Sequence, residues 1–212
     1  MKRLISTLCL IMSLACGSLS VCWSDDFQKG IEAYKKGDFA NAIKEWILLA
    51  EDGDEKAQYF LGLIYYKGKG VPQDYKTALK WFNLSAEQGN KVAQYNLGIM
   101  YSFGLGVIPD YKIALKWYNL SSEQGNALAQ YNLGRLYYLG NGVKEDMVYA
   151  HMWINLASLN GFEMAEEINA LLIQLMTPSQ IEEAERLARE CVKKNYKGCF
   201  EHKNHDSNLT YP

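Results

Sequence analysis

The chain has no run of lysine and arginine anywhere along its 212 residues, and its formal net charge is only −2. Without a basic patch it is a poor match for nucleic acid or for an anionic membrane surface. Long apolar runs are also missing. Leu4 to Ala15 is a mainly apolar run about a dozen residues long, whereas a spanning helix needs about 20, so no transmembrane span is expected in the mature chain. The signatures Ser-x-x-Lys, Gly-x-Ser-x-Gly and His-Glu-x-x-His occur nowhere, and no catalytic residue, enzymatic activity or cofactor is expected. Histidine is scarce, with three copies. His202 and His205 stand near Cys199 but in a polar tail, too few ligands for a metal site. His151 takes a position that Lys80 and Lys116 occupy elsewhere in the chain, which marks it as solvent-exposed and not catalytic.

What is present begins with a targeting segment. Lys2-Arg3 forms a positive start, the apolar run follows, and small residues come next, as a secretory signal requires. The expected cut falls after Ser24, leaving Asp25-Asp26-Phe27 as the new start. Losing Lys2 and Arg3 leaves 20 of the 22 basic residues against 24 acidic ones, a mature charge of −4. Cleavage before a lipid-modified cysteine is the rival reading. Leu19-Ser20-Val21-Cys22 approaches a lipobox, but Val at −1 is larger than that signal usually accepts. Ser13-Leu14-Ala15-Cys16 has the right −1 residue and the wrong −3. The expected location is therefore periplasmic or secreted, ahead of an outer-membrane lipoprotein. Three of the five cysteines fall in the signal region, so only Cys191 and Cys199 persist. An even pair in an oxidising compartment favours one disulfide.

Between these ends the chain repeats itself. From Ala93 it reads A-Q-Y-N-L-G, a Gly-x-Gly-Val turn, D-Y-K-x-A-L-K-W-Y and E-Q-G-N, and the same text starts at Ala57 and Ala129. Gly62, Gly98 and Gly134, then Trp81, Trp117 and Trp153, then Gly89, Gly125 and Gly161 are all spaced by 36. Such regularity identifies an array of helical repeats. Each full copy reads as two helices. Asp54, Asn90 and Asn126 suit the N-cap of the first, and Asp74, Asp110 and Asp146 that of the second. Gly68, Gly104 and Gly140 end the first helix, and Gly89, Gly125 and Gly161 the second. Gly62, Gly98 and Gly134 fall inside a helix, where glycine costs about 1 kcal/mol relative to alanine; a close helix crossing would explain them. The Gly-x-Gly turns lack the Gly-Lys-Ser/Thr of a phosphate loop and read as structural. The Trp column reads as inter-helix core. Asn83-Leu84-Ser85 and Asn119-Leu120-Ser121 match a glycosylation pattern only because the repeat copies itself; Asn208-Leu209-Thr210 in the tail matters only in a eukaryotic host.

The expected divisions are a signal peptide (1–24), a degenerate N-terminal capping repeat with shortened first helix and turn (25–54), and three repeats (55–90, 91–126, 127–162). A C-terminal helical cap (163–199) and a disordered tail (200–212) follow. In the cap, Ala165, Ile168, Leu171, Leu172 and Leu175 form one apolar stripe. Thr177-Pro178-Ser179-Gln180 then makes a capping box, and Ile181, Ala184, Leu187, Ala188 and Cys191 make the last stripe.

These motifs together resemble the Sel-one-like repeat family, a relative of tetratricopeptide repeats, strongly over Ala57–Gly161. Ile108-Pro109 and Val143-Lys144-Glu145 depart from the Val71-Pro72-Gln73 turn. The resemblance implies an all-α, right-handed α-solenoid of helix-turn-helix repeats with helical caps at both ends, acting as an exported bacterial adaptor for a protein or peptide. Cys191-x7-Cys199 resembles the staple of a cysteine-rich branch, some members of which are linked to β-lactam binding; a β-lactam-binding or -hydrolysing envelope enzyme is the alternative. By the same likeness a concave face would be lined by one column from each first helix: Tyr59, Leu63 and Tyr66; Tyr95, Ile99 and Ser102; Tyr131, Arg135 and Tyr138. Tyrosines offer large contact area with few rotamers to freeze, and Arg135 suits a carboxylate through paired N–H donors. Packing between neighbouring repeats is the competing role for the tyrosines.

Overall fold

Helix ends leave backbone groups without partners, and short polar side chains or glycine resolve them here at nearly every boundary. A computed structural model describes residues 19–199, and among these residues there are ten helices and no strand. They are α1 (Leu19–Lys35), α2 (Phe39–Glu51), α3 (Glu55–Lys67), α4 (Tyr75–Glu87) and α5 (Lys91–Phe103), then α6 (Tyr111–Ser122), α7 (Ala127–Leu139), α8 (Met147–Leu159), α9 (Met164–Ile173) and α10 (Pro178–Lys193). Asp54, Asn90 and Asn126 accept from the N–H of Ala57, Ala93 and Ala129 at 2.7, 2.9 and 3.2 Å. Asp74, Asp110 and Asp146 each accept from two N–H groups at the start of α4, α6 and α8. Gly68, Gly104 and Gly140 close α3, α5 and α7 in the left-handed region, at φ 63°, 69° and 66°. At α10 the Thr177 side chain accepts from Gln180 N–H while the Gln180 side chain accepts from Thr177 N–H, the reciprocal box the sequence indicates.

The second glycine of each Gly-x-Gly turn has a packing role. A Cβ on Gly106 would lie 2.6 Å from the backbone carbon of Tyr75, and one on Gly142 2.6 Å from that of Tyr111. The turn therefore rests directly on the start of the preceding repeat's second helix. The mid-helix glycines answer to a close crossing too. A Cβ on Gly62 would meet the Phe82 ring at 2.6 Å, and one on Gly134 would meet Ile154 Cγ1 at 2.6 Å and Ala150 O at 2.9 Å.

The chain divides into two compact units between Pro109 and Asp110. In the first, α1 packs on α2, α2 on α3, α3 on α4 and α4 on α5. Its capping end is built on Trp46, fully buried, whose indole stacks on Phe60 with centroids 4.8 Å apart and donates to Phe27 O at 3.2 Å. Phe27 and Tyr34 of α1 close over the same indole. α1 has 17 residues, of which the 11 from Asp25 to Lys35 lie within the expected capping repeat, against 13 in α3, and the connection to α2 is short. In the second unit α6 packs on α7, α7 on α8, and α8 carries both α9 and α10. Sequential helix pairs of this kind give the all-α solenoid class of fold.

Repeats are stitched by a buried amide. Gln58, Gln94 and Gln130 donate from Nε2 to the carbonyls of Ala50, Ala86 and Ser122 at 3.0, 3.1 and 3.3 Å. Each glutamine thus adds a second donor to a carbonyl near the end of the previous repeat's second helix, one that already accepts from the N–H of Gly53, Gly89 or Gly125 at 3.2, 3.0 and 2.9 Å. The C-terminal cap departs from expectation in α9. Ala165 and Leu172 are buried, but Leu171 and Leu175 are exposed. Beyond α10, Cys191 and Cys199 are joined Sγ to Sγ. The loop they close returns to the repeats: Tyr196 Oη donates to Asn160 Oδ1 at 3.0 Å and Gly198 N to Glu123 Oε1 at 3.0 Å. The expected signal segment falls largely, and the polar tail with His202, His205 and Asn208 wholly, outside the described residues.

Candidate functional site

The first helices present one residue every three or four positions away from their buried stripe, so a column recurs in each repeat. In the first unit that column is half-buried throughout: Tyr59, Leu63 and Tyr66 on α3, and Tyr95, Ile99 and Ser102 on α5. Tyr59 and Tyr66 both lie against the Phe82 ring, with centroids 6.1 Å away in each case. Tyr59 also meets Phe60 at 5.2 Å, and Tyr66 meets Tyr75 at 5.5 Å. Burial pushes both phenols above their ordinary range, helped by Tyr34 at Tyr59 and by Tyr75 at Tyr66. These two rings are thus already engaged in packing α3 on α4.

The column on α7 is more open. Arg135 and Tyr138 are exposed, Tyr131 is half-buried, and Leu128 extends the same face by one turn. The Arg135 guanidinium lies over the Tyr131 ring, 5.9 Å from its centroid, and that ring packs on Phe162 at 4.9 Å. Arg135 Nη1 also donates to Asn132 Oδ1 at 3.4 Å, while Asn132 Nδ2 donates to Leu128 O at 2.9 Å. No carboxylate pairs with Arg135 among the described residues. The arrangement holds an exposed cation on an aromatic shelf, which suits an anionic group. Sequence reasoning does not single out Asn132. Its signal is there, since it is the Asn of A-Q-Y-N-L-G, and Asn96 makes the equivalent bond to Val92 O at 2.7 Å.

Two expectations fail here. His151 is not solvent-exposed: it is 1% exposed, and neither ring nitrogen has a hydrogen-bond partner among the described residues. The aligned Lys80 is exposed and Lys116 half-buried. The C-terminal cap makes the difference, because α8 is the second helix on which the cap helix α10 packs. Burial lowers the His151 pKa from its ordinary value, and Glu185 on α10 opposes that only in part. Trp117 is the second correction. Trp81 and Trp153 are buried as the column predicts, but Trp117 is half-buried, and Tyr118 beside it is the ring buried in α6. The glycosylation-like triplets are structural: Asn83 Nδ2 donates to Leu79 O at 2.9 Å, and Asn119 is buried. Among the described residues no group of three or more His, Cys, Asp or Glu side chains could hold a metal ion. No described helix is long and apolar enough to cross a membrane.

Comparison with known proteins agrees with this architecture. A crystal structure of a Sel1 repeat protein from Oxalobacter formigenes is similar at 28% identity and TM-score 0.65, over 80% of this chain and 77% of that one. A protective antigen present in uropathogenic Escherichia coli strains, displaying an SLR fold, is similar at 25% identity and TM-score 0.58. That match covers 90% of this chain but only 50% of the antigen, so the chain spans half of that protein's length. No curated protein matches. The Sel1 repeat model matches at residues 55–90, 91–126 and 127–162, the three periods bounded by the caps Asp54, Asn90 and Asn126. With more than half of its length in those three matches, the chain belongs to the Sel1 repeat family.

Proposed function

We propose that this protein is an exported adaptor that holds a protein or peptide against the inner columns of its first helices. The fold class supports the coarser part of this reading, since helix-pair repeats of the Sel1 kind mediate protein–protein contact. The finer part rests on one observation: Arg135 stands on an aromatic shelf, with Tyr138 a turn beyond, and no carboxylate of the described residues claims it. A carboxylate from an acidic side chain or a peptide C-terminus is the group it would orient, with Tyr131 and Tyr138 as flanking contact area. Tyr59, Leu63, Tyr66, Tyr95, Ile99 and Ser102 supply the corresponding columns of the first unit.

The test is capture from an envelope extract, identification of the bound protein, and titration of that partner against variants. Arg135→Ala and Tyr138→Ala should each weaken binding by about tenfold or more while leaving the melting temperature nearly unchanged, because both side chains are exposed. Unchanged affinity in both variants would remove the α7 column from the interface. The β-lactam alternative rests on the resemblance of the cysteine pair alone. Turnover of nitrocefin by the purified chain would replace the adaptor reading with that one.

A further inference from the structure

The helix α9 has more apolar surface than its packing uses. Ala165 and Leu172, with Met176 just beyond the helix, face the interior. Met164, Ile168 and Leu171 follow one another at i, i+4 and i+7, a second stripe on the adjoining face, which Leu175 continues into the turn. Met164 is 58% exposed, Leu171 60% and Leu175 66%, while Ile168 is half-buried at the border between the faces. Single exposed leucines need no explanation, but an aligned row of them marks a contact surface. No packing among the described residues accounts for the row.

Charge decides what can cover it. From Glu145 to Glu185 the sequence contains no lysine or arginine, and it carries eight carboxylates. Glu163 and Glu167 fall on the solvent side of the stripe by helical spacing, and neither forms an ion pair among the described residues. The carboxylates of α10 differ: Glu183, Glu185 and Glu190 are matched by Arg186 and Arg189. Acidic residues in the first turn favour the helix N-terminus, which explains Glu166 and Glu167 without explaining the leucines beside them or the missing lysines.

We propose that the Met164–Leu171–Leu175 face docks a basic amphipathic helix of a partner protein. Its apolar side would lie along the stripe and its lysines or arginines against Glu163 and Glu167. A second copy of this chain fits less well, since two-fold pairing through α9 would bring one acidic rim against the other. An anionic lipid surface meets the same repulsion. The surface is distinct from the α7 column and stands whether or not that column binds.

The proposal is tested on the full mature chain with a synthetic helix-forming peptide carrying leucines at i, i+4, i+7 and i+11 and lysines on the flanking positions. A twin peptide with glutamates in place of the lysines serves as control. Calorimetric titration should show binding of the lysine peptide alone, weakening as salt is raised. Leu171→Asp with Leu175→Asp should weaken it by about tenfold or more, with helix content retained because both side chains are exposed. Glu163→Lys with Glu167→Lys, which leaves the leucines intact, should reverse the preference toward the glutamate twin. Should the aspartate variant lose helix content, the charge-reversal pair decides the matter alone. The proposal is overturned if neither peptide binds, if both bind equally, or if binding survives the aspartate substitutions in folded protein. It is equally overturned if light scattering shows a dimer that those substitutions convert to monomer, because the occupant is then a second copy.

Discussion

His151 is a neutral imidazole in a place where its charged form is disfavoured. Its folded-state pKa lies below the ordinary value of 6.5 because burial outweighs the field of Glu185. The unfolded chain therefore binds the proton first, and stability falls as pH drops through about 6.5 toward the folded value. Within that window the loss approaches about 1.4 kcal/mol per pH unit. Replacing His151 with Leu should flatten the pH dependence of denaturant midpoints between neutral and mildly acid solution; an unchanged slope would show that other groups set it. Tryptophan offers a second residue-scale contrast. Trp153 is fully buried and Trp117 only half-buried. Trp153→Ala should cost about 3–5 kcal/mol, and Trp117→Ala roughly half as much in proportion to the area lost. Thermal melts that ranked the two equally would contradict the burial difference.

At the scale of elements, glycine separates backbone strain from packing. Gly161 has φ +90° with nothing within 4 Å of an added Cβ, whereas Gly142 has φ +73° with the Tyr111 backbone at 2.6 Å. Gly161→Ala should cost about 1–2 kcal/mol for the left-handed conformation alone. Gly142→Ala should add about 1–3 kcal/mol for displacing the turn from α6, and similar melting shifts for the two would mean that the turn yields freely. The C-terminal loop gives another case. Its Cys191–Cys199 bond holds Tyr196 and Gly198 where they reach Asn160 and Glu123. Protein purified from an oxidising compartment should show no free thiol until reduced, by intact mass after alkylation. Reduction should then destabilise it by about 2–3 kcal/mol. What the sequence makes legible at this scale is local chemistry: caps, helix-ending glycines and the Thr177 box depend on a residue and its next three or four neighbours. His151 misleads because its exposure is set by α10, which has no counterpart on the other second helices. Leu171 and Leu175 mislead because α9 is apolar on two faces and periodicity does not say which one is covered. For the inner columns, the helix face is legible from spacing. The half-burial of Tyr59 and Tyr66 is not, since it depends on where Phe82 arrives from the next helix.

For the whole molecule, an unbroken 36-residue period implies that one period is an interchangeable part. The contacts repeat with it. Gln94 reaches Ala86 O as Gln130 reaches Ser122 O, and Gly106 lies on Tyr75 as Gly142 lies on Tyr111. Deleting Lys91–Asn126 would join Asn90 to Ala127 and place Gln130 where it meets Ala86 O and Gly142 where it meets the Tyr75 backbone. Both substitutions reproduce contacts the intact chain already makes. The shortened chain should keep its helix content per residue and melt cooperatively, at a lower temperature because it has one fewer inter-repeat interface. Removing residues 91–108 is the informative control: it strips the first helix from a repeat and sets one second helix directly after another. That variant should lose cooperative melting, since neither the buried glutamine nor the Gly-x-Gly turn of the missing half is replaced. Circular dichroism and thermal denaturation of the two deletions, side by side, decide the point. Equal disruption by the whole-period and half-period cuts would mean that the copies, alike in sequence, are not equivalent in the fold.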